Sequence, residues 1–290
     1  MSAMDEKICM VTGATSGIGY YTALEIARMG AAVVIVGRDQ AKCNDAVHRL
    51  QRESGNESIE YLLADLSSQA QIRTIASQFT ARHDHLDVLV NNAGGFFLRR
   101  RLSVDGIEMT FATNHLAYFL LTLLLMDRLR ASPSARVINV ASGSHYGEHL
   151  DFSDLQMKRF YNPIQAYGRS KLANILFSYE LARRLAGSKI TVNCLTPGMV
   201  ATDIWKKVNR YLTPLIFPVI QRMALTPLQG AQTSIYLATS PEVEGVSGRY
   251  FADRKAIRSS PVSYDVEAAQ RLWRVSLELT GIKDPLEQAV

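Results

Sequence analysis

Cysteine is scarce in this chain and tryptophan scarcer, with three Cys and two Trp among 290 residues. Cys9, Cys43 and Cys194 stand far apart and match neither a metal site nor a redox pair. The odd, scattered set reads as small apolar residues in a reducing compartment, and no metal is expected. No run reaches the ~18 uninterrupted apolar residues of a membrane span. Met1 to Lys7 leads straight into a strand-like run and leaves no room for a secretory signal, so the expectation is a soluble, cytoplasmic protein. Internal repeats, low-complexity tracts and Pro/Gly/Ser linkers are also missing. The chain therefore reads as a single domain over residues 1–290, large enough to bury its core without disulfides.

Charge is present but dispersed. The formal net charge is +5, and the densest basic run is Arg99-Arg100-Arg101. A nucleic-acid binder would need clustered cations on one face, and none is visible. The run reads as a solvated loop or as a basic site for anionic lipid or substrate.

The chain alternates strand-like and helix-like segments. Ile8 to Val11 ends in a glycine-rich turn, and Ile18 to Met29 has helical spacing up to Gly30. Ala32 to Val36 is a β-branched run suited to a strand buried on both faces. Further strands are expected at Ile59 to Leu63, Leu86 to Val90, Arg136 to Val140, Ile190 to Leu195 and, last, Gly248 to Phe251. Helices are expected at Ala41 to Glu53, Gln69 to His83, Ala166 to Leu185 and Pro227 to Ala238, with one long helix over Gly106 to Leu129. Repeated βα units predict an α/β, doubly wound (Rossmann) domain with a mainly parallel sheet and helices on both faces. Ligands bind such sheets beyond the carboxyl ends of the strands. Those ends carry Gly13 to Gly19, Arg38, Asp65, Asn91 to Gly94, Ser142 and Pro197-Gly198.

The turn Thr12-Gly13-Ala14-Thr15-Ser16-Gly17-Ile18-Gly19 joins a strand to a helix. Its glycines let backbone N–H groups approach a pyrophosphate, which the helix N-terminus also favours. A carboxylate about 20 residues further on would hold the ribose of NAD. Here the second strand ends in Gly37-Arg38, whose guanidinium suits a 2′-phosphate and points to NADP(H). The alternative makes Arg38 a surface residue and gives the ribose to Asp39. Tyr167 and Lys171 lie four apart on one face of a predicted helix. A free phenol has a pKa of about 10, too high for proton exchange near neutrality, and a neighbouring ammonium lowers it.

Taken with Asn91-Asn92-Ala93-Gly94, Asn114, Ser142, and Pro197-Gly198 with Thr202, these motifs run in order along nearly the whole chain. Together they resemble the short-chain dehydrogenase/reductase family. The resemblance implies that Tyr167 transfers a proton and that Lys171 binds the nicotinamide ribose and lowers the Tyr167 pKa. It implies that Ser142 holds the substrate oxygen and that Asn114 holds a water relaying protons from Lys171. Asp65 and Leu66 would border the adenine. Asn92, Ala93 and Gly94 would line the cofactor, and Thr202 would face its carboxamide. His115 and His145 are expected to be hydrogen-bonded structural residues.

Asp151-Phe152-Ser153-Asp154-Leu155, Gly248-Arg249-Tyr250-Phe251 and Ala269-Gln270-Arg271-Leu272-Trp273 are similar to the retinol-dehydrogenase-like subgroup. That resemblance implies NADP(H) and lipophilic aldehydes, ketones or alcohols. The apolar segment 203–226 follows Thr202 and is expected to cover the nicotinamide end, while a C-terminal extension starts near residue 252. Phe96, Phe97, Tyr146 and Trp205 are candidate pocket residues. The expected function is carbonyl reduction or alcohol oxidation by an NADP(H)-dependent enzyme. The rival is a non-catalytic NADP(H)-binding sensor or scaffold, which would not need Asn114, Ser142, Tyr167 and Lys171 together. A homo-oligomer is possible from the resemblance alone.

Overall fold

The computed structural model describes residues 4–200 and 225–287. Eight strands form one sheet: β1 (Ile8–Thr12), β2 (Ala32–Gly37), β3 (Ile59–Leu63), β4 (Val88–Asn91), β5 (Ala135–Val140), β6 (Ile190–Thr196), β7 (Arg249–Ala252) and β8 (Lys255–Ile257). Their order is β3-β2-β1-β4-β5-β6-β7-β8. All pairs are parallel except β7 with β8. The order reverses between β1 and β4, which opens a crevice at their carboxyl ends.

Helices cover both faces. They are α1 (Gly17–Arg28), α2 (Gln40–Ser54), α3 (Gln69–Arg82), α4 (Met109–Phe111), α5 (Ala117–Leu124), α6 (Met126–Ala131), α7 (Pro163–Arg184), α8 (Pro227–Thr239) and α9 (Val266–Thr280). Helix starts follow their capping residues. Asp39 accepts from Lys42 N, Ser68 from Gln71 N, and Asn162 from Ile164 N and Gln165 N, with Pro163 at the first helical position of α7. On one face Met10, Val34 and Leu89 pack with Phe79, Phe119, Phe177 and Trp273. On the other, Val11, Ile35, Val90 and Leu195 pack with Tyr20, Leu24 and Leu237. Strands buried on both faces account for their continuous β-branched runs.

Three expectations need correction. Gly106 to Leu129 is not one helix. Gly106 sits in a turn at φ 74°, and α4 starts only after Glu108, whose carboxylate accepts from Thr110 N and Phe111 N. A π-helical turn, Ala112–Leu116, follows, and a break at Leu125 separates α5 from α6. Gly248 to Phe251 is not the last strand, because the chain turns back as β8 through Asp253 and Arg254, both at positive φ. Helix α7 begins one turn earlier than its apolar spacing indicates, because Asn162-Pro163 caps it.

The turn after β1 owes its path to glycine. Gly13 has φ 67°, and a Cβ there would stand 2.8 Å from the Ala93 Cα. Gly13→Ala should therefore lower stability by about 2 kcal/mol from the left-handed conformation alone, with further loss from the backbone clash. A urea melt with an unchanged midpoint would contradict this.

Candidate active site

Two stitches fix the crevice between β1 and β4. The Thr12 hydroxyl donates to Val90 O and accepts from Asn92 N at 2.9 Å and Ala93 N at 3.0 Å. Asn92 Nδ2 returns a bond to Thr12 O at 2.8 Å. Asn92 and Ala93 are thereby held against the Gly13 turn. Ser16 precedes α1 without capping any N–H through its side chain. The first-turn N–H groups have no intrahelical partner and favour an anion. Gly17, at φ 62°, leaves open space where a Cβ would project. Thr15, Ser16, Ile18 and Gly19 complete this cradle, which suits a pyrophosphate.

At the end of β2, Arg38 and Asp39 are both exposed, but only the carboxylate is engaged. Asp39 Oδ1 accepts from Lys42 N at 3.1 Å as the cap of α2. Arg38 has no hydrogen bond or ion pair among the described residues. Asp65 spends its Oδ1 on Ser67 N and Ser67 Oγ, which shapes the turn after β3, and Leu66 belongs to the core.

The reacting groups converge beyond β5. Ser142 follows that strand; its hydroxyl meets Ser144 Oγ at 3.2 Å and lies close enough to the Tyr167 phenol to favour its ionised form. Ser144 is thus a neighbour in the same turn. Gly168 permits this approach, since a Cβ there would lie 2.6 Å from Ser144 O and 2.7 Å from Glu148 Cγ. His145 donates from Nδ1 to Ser142 O at 2.7 Å and accepts from Ser260 N at 3.0 Å through Nε2. Both ring nitrogens are used structurally, and burial lowers its pKa.

Lys171 Nζ donates to Val140 O at 2.8 Å and lies 5.6 Å from the Tyr167 ring centroid. Burial pushes Tyr167 up to about 12, opposed by the Ser142 hydroxyl, and burial brings Lys171 down to about 7. The expected lowering of Tyr167 by a neighbouring ammonium is therefore not found in the protein alone: burial sets the direction, and Ser142 is the group that opposes it. A lysine that loses its proton near neutrality contributes that charge only below about pH 7 or beside further anionic groups.

Asn114 lies in the π-helical turn, a device often found at functional sites. Its side chain accepts from Gly95 N at 2.7 Å and donates to Gly95 O and Ser170 Oγ, each at 3.0 Å. Ser170 in turn donates to Tyr167 O at 2.7 Å. The Asn114 carbonyl accepts from Asn174 Nδ2 at 2.9 Å. His115 is fully buried between Asn174 and Ser276, and burial lowers it to about 4, so it is a neutral structural residue. Sequence reasoning missed Asn174, Ser170, the Val140 carbonyl and Tyr118, whose ring lies 5.7 Å from Lys171 Nζ. The spacing of Asn174 from Lys171 on α7 was the one available signal for the first of these.

Of the pocket candidates, Phe96 is buried, with its ring 5.8 Å from that of Tyr167. Phe97 folds over Gly95. Tyr146 is half exposed, packs at a tilt against the His145 ring and donates to Arg258 O at 2.8 Å. Pro197 and Gly198 follow β6, where the Thr196 hydroxyl accepts from Gly143 N at 3.2 Å and ties this end to the Ser142 turn. Thr202, Trp205 and nearly all of segment 203–226 lie outside the described residues. A groove of about 650 Å³ lies at the opposite, amino ends of β5 and β6, lined by Arg136, Tyr179 and Lys189, and holds none of these groups.

A glycine cradle at a helix start, beside a Tyr–Lys–Ser cluster, defines a dinucleotide-dependent oxidoreductase. The short chain dehydrogenase family model matches residues 7–212, and the chain belongs to that family. It is similar to human polyprenol dehydrogenase, 42% identical over 96% of this chain and 86% of the relative. It is 43% identical to mouse retinol dehydrogenase 14 over 96% of this chain and 87% of the relative. Among solved structures, an uncharacterized protein from Mycobacterium Paratuberculosis superposes with a TM-score of 0.79 at 30% identity, covering 97% of this chain and 96% of that one. The Pseudomonas aeruginosa RhlG/NADP active-site complex does so with a TM-score of 0.69 at 28% identity, covering 85% and 94%. The chain is thus an oxidoreductase of alcohol and carbonyl groups, of the retinol-dehydrogenase-like kind.

Two outcomes follow from burial. Asn174→Leu leaves the Asn114 carbonyl without its donor and should cost about 1–3 kcal/mol in a urea melt, with kcat reduced. The folded Lys171 value, about 7, lies below the ~10.4 of free lysine, so its buried charge destabilises fully below pH 7. Between those values the unfolded chain binds more protons, and this contribution to stability rises with pH. Lys171→Met should therefore raise the melting temperature most at pH 6 and less at pH 9, while turnover is lost. A gain that grows with pH would contradict the assignment.

Proposed function

We propose that the chain is an NADP(H)-dependent oxidoreductase of lipophilic aldehydes, ketones or alcohols, with Tyr167 as proton donor and acceptor. The observation that carries this reading is the meeting of the Ser142 hydroxyl, the Tyr167 phenol and the buried Lys171 ammonium beside the glycine cradle. The nicotinamide, when bound, supplies or takes the hydride. Ser142 holds the substrate oxygen near Tyr167 by a hydrogen bond. In reduction Tyr167 gives that oxygen its proton, and in oxidation it takes the proton back. Lys171, anchored on Val140 O, presents its remaining N–H groups to the ribose and favours the phenolate while charged. Asn114 braces the Gly95 loop and Ser170 and would hold the water of the proton path.

NADP(H) over NAD(H) is supported by the division of labour after β2, where Arg38 is free among the described residues and Asp39 is engaged as a helix cap. The solved relative in complex with NADP agrees with it. A lipophilic substrate is supported by Phe96 against Tyr167 and by relatives named for polyprenol and retinol. Gly94, Pro197, Gly198 and Thr202 would line the nicotinamide end, with Asp65 and Leu66 at the adenine. A sensor or scaffold role draws no support from a site that retains every proton-handling group.

The test is NADPH oxidation against a panel of lipophilic carbonyls, with NADH in parallel. Tyr167→Phe should abolish turnover and keep NADPH binding, and full activity in that variant would overturn the mechanism. Arg38→Asp should lower the NADPH-to-NADH ratio of kcat/KM by about tenfold or more, the equivalent of one charge-assisted contact. An unchanged ratio would remove Arg38 from the 2′-phosphate site.

A further inference from the structure

The arginine run at residues 99–101 has no part in the site above, yet its surroundings are ordered. The stretch that follows Phe97 and the one that leads into α7 are pinned together. Arg100 Nε donates to Gln156 O at 3.1 Å, Glu108 N to Gln156 Oε1 at 3.2 Å, and the Tyr161 hydroxyl to Phe97 O at 2.7 Å. Along these two adjoining stretches, Arg99, Arg101, Lys158 and Arg159 are all exposed. The neighbouring acids are taken up by backbone. Asp154 accepts from Lys158 N and Arg159 N, and Glu108 is buried on Thr110 N and Phe111 N. Among the cations stand large apolar side chains: Phe160 is 75% exposed, Ile164 63%, Leu102 50% and Leu98 38%.

Single exposed apolar residues are ordinary, but a run of them between cations is not. Exposing a side chain such as Phe or Ile forgoes about 1.5–3 kcal/mol of burial. Interleaved cations and protruding apolar tips match the interface of an anionic bilayer, where headgroups meet the charges and the tips enter the acyl boundary. A folded protein partner would need a surface shaped to two separate loop tips and a helix end, whereas acyl chains adapt to any such outline.

We propose that the surface formed by residues 98–102 and 158–164 docks this protein reversibly on an anionic lipid bilayer. Phe97 and Phe96 connect that surface to Tyr167, so docking sets the pocket beside the lipid phase. This benefit to catalysis rests on the proposed lipophilic substrate; the docking itself does not.

The experiment is co-sedimentation of the purified full chain with phosphatidylcholine vesicles, with and without phosphatidylserine, at low and raised salt. Binding to the phosphatidylserine vesicles, weakened by salt and by their omission, is the expected result. Arg99→Glu with Arg101→Glu should reduce the partition constant by roughly 30-fold. Phe160→Ser with Ile164→Ser should reduce it by about tenfold or more. Circular dichroism and NADPH binding should match the parent in both variants, which separates lost docking from lost folding. Equal, weak sedimentation with both vesicle types overturns the proposal, as does parent-like binding by both variants. Competition by inorganic phosphate, with no effect of Phe160→Ser and Ile164→Ser, overturns it in favour of a plain anion site. Vesicle binding without turnover of any carbonyl supports docking and counts against the proposed activity alone.

Discussion

A continuous chain of buried amides and hydroxyls holds the site to the sheet. Asn91 Nδ2, at the end of β4, donates to Thr122 Oγ1 on α5 and to Asn139 Oδ1 on β5. Asn139 Nδ2 donates to Ser178 Oγ, Ser178 to Asn174 O, and Asn174 Nδ2 to Asn114 O. Each of these side chains is fully buried. Within this network Asn91 Oδ1 alone lacks a partner among the described residues, and a shift of register would break several of the other bonds at once. Two strands, α5, α7 and the π-helical turn are therefore locked in a single arrangement. Tyr167 and Lys171 ride on α7, so their placement against Ser142 depends on that lock.

The same dry environment sets the chemistry. Burial raises Tyr167 and lowers Lys171, so a phenol and an amine are pressed toward their neutral forms. Proton exchange near neutrality then needs charge from outside the pair. In the proposed function that charge would come from the oxidised cofactor held by these residues, which would couple proton exchange at Tyr167 to a loaded site. The free Arg38 and the capped Asp39 extend the pattern, with each charged group near the cradle either committed to the fold or left for a ligand.

The periodic elements were legible in the sequence. Short β-branched runs such as Val33-Val34-Ile35-Val36 read as buried strands, and the glycine turn after β1 announces the crevice. The π-helical turn was not legible, because apolar spacing over Gly106 to Leu129 records burial and not a one-residue insertion at Asn114. Strand β8 escaped because its residues are exposed and carry no alternating pattern. The start of α7 was readable in Asn162-Pro163 but hidden by the polar first turn. Tyr167, Lys171 and Ser142 were found as motifs. Val140 O and Asn174 were not, since a main-chain acceptor leaves no mark on composition and Asn174 acts only through contacts made in the folded chain. Among the described residues, no helix is long and apolar enough to cross a membrane.

The central claim is that Tyr167 exchanges the proton and that its ionisation answers to the bound cofactor. The direct measurement is a tyrosinate absorbance titration of the parent minus Tyr167→Phe, with and without NADP+. A Tyr167-dependent signal that titrates well above neutrality in the free protein, and at clearly lower pH once NADP+ is bound, is the predicted result. A midpoint unmoved by NADP+, with binding confirmed in the same sample, would contradict it.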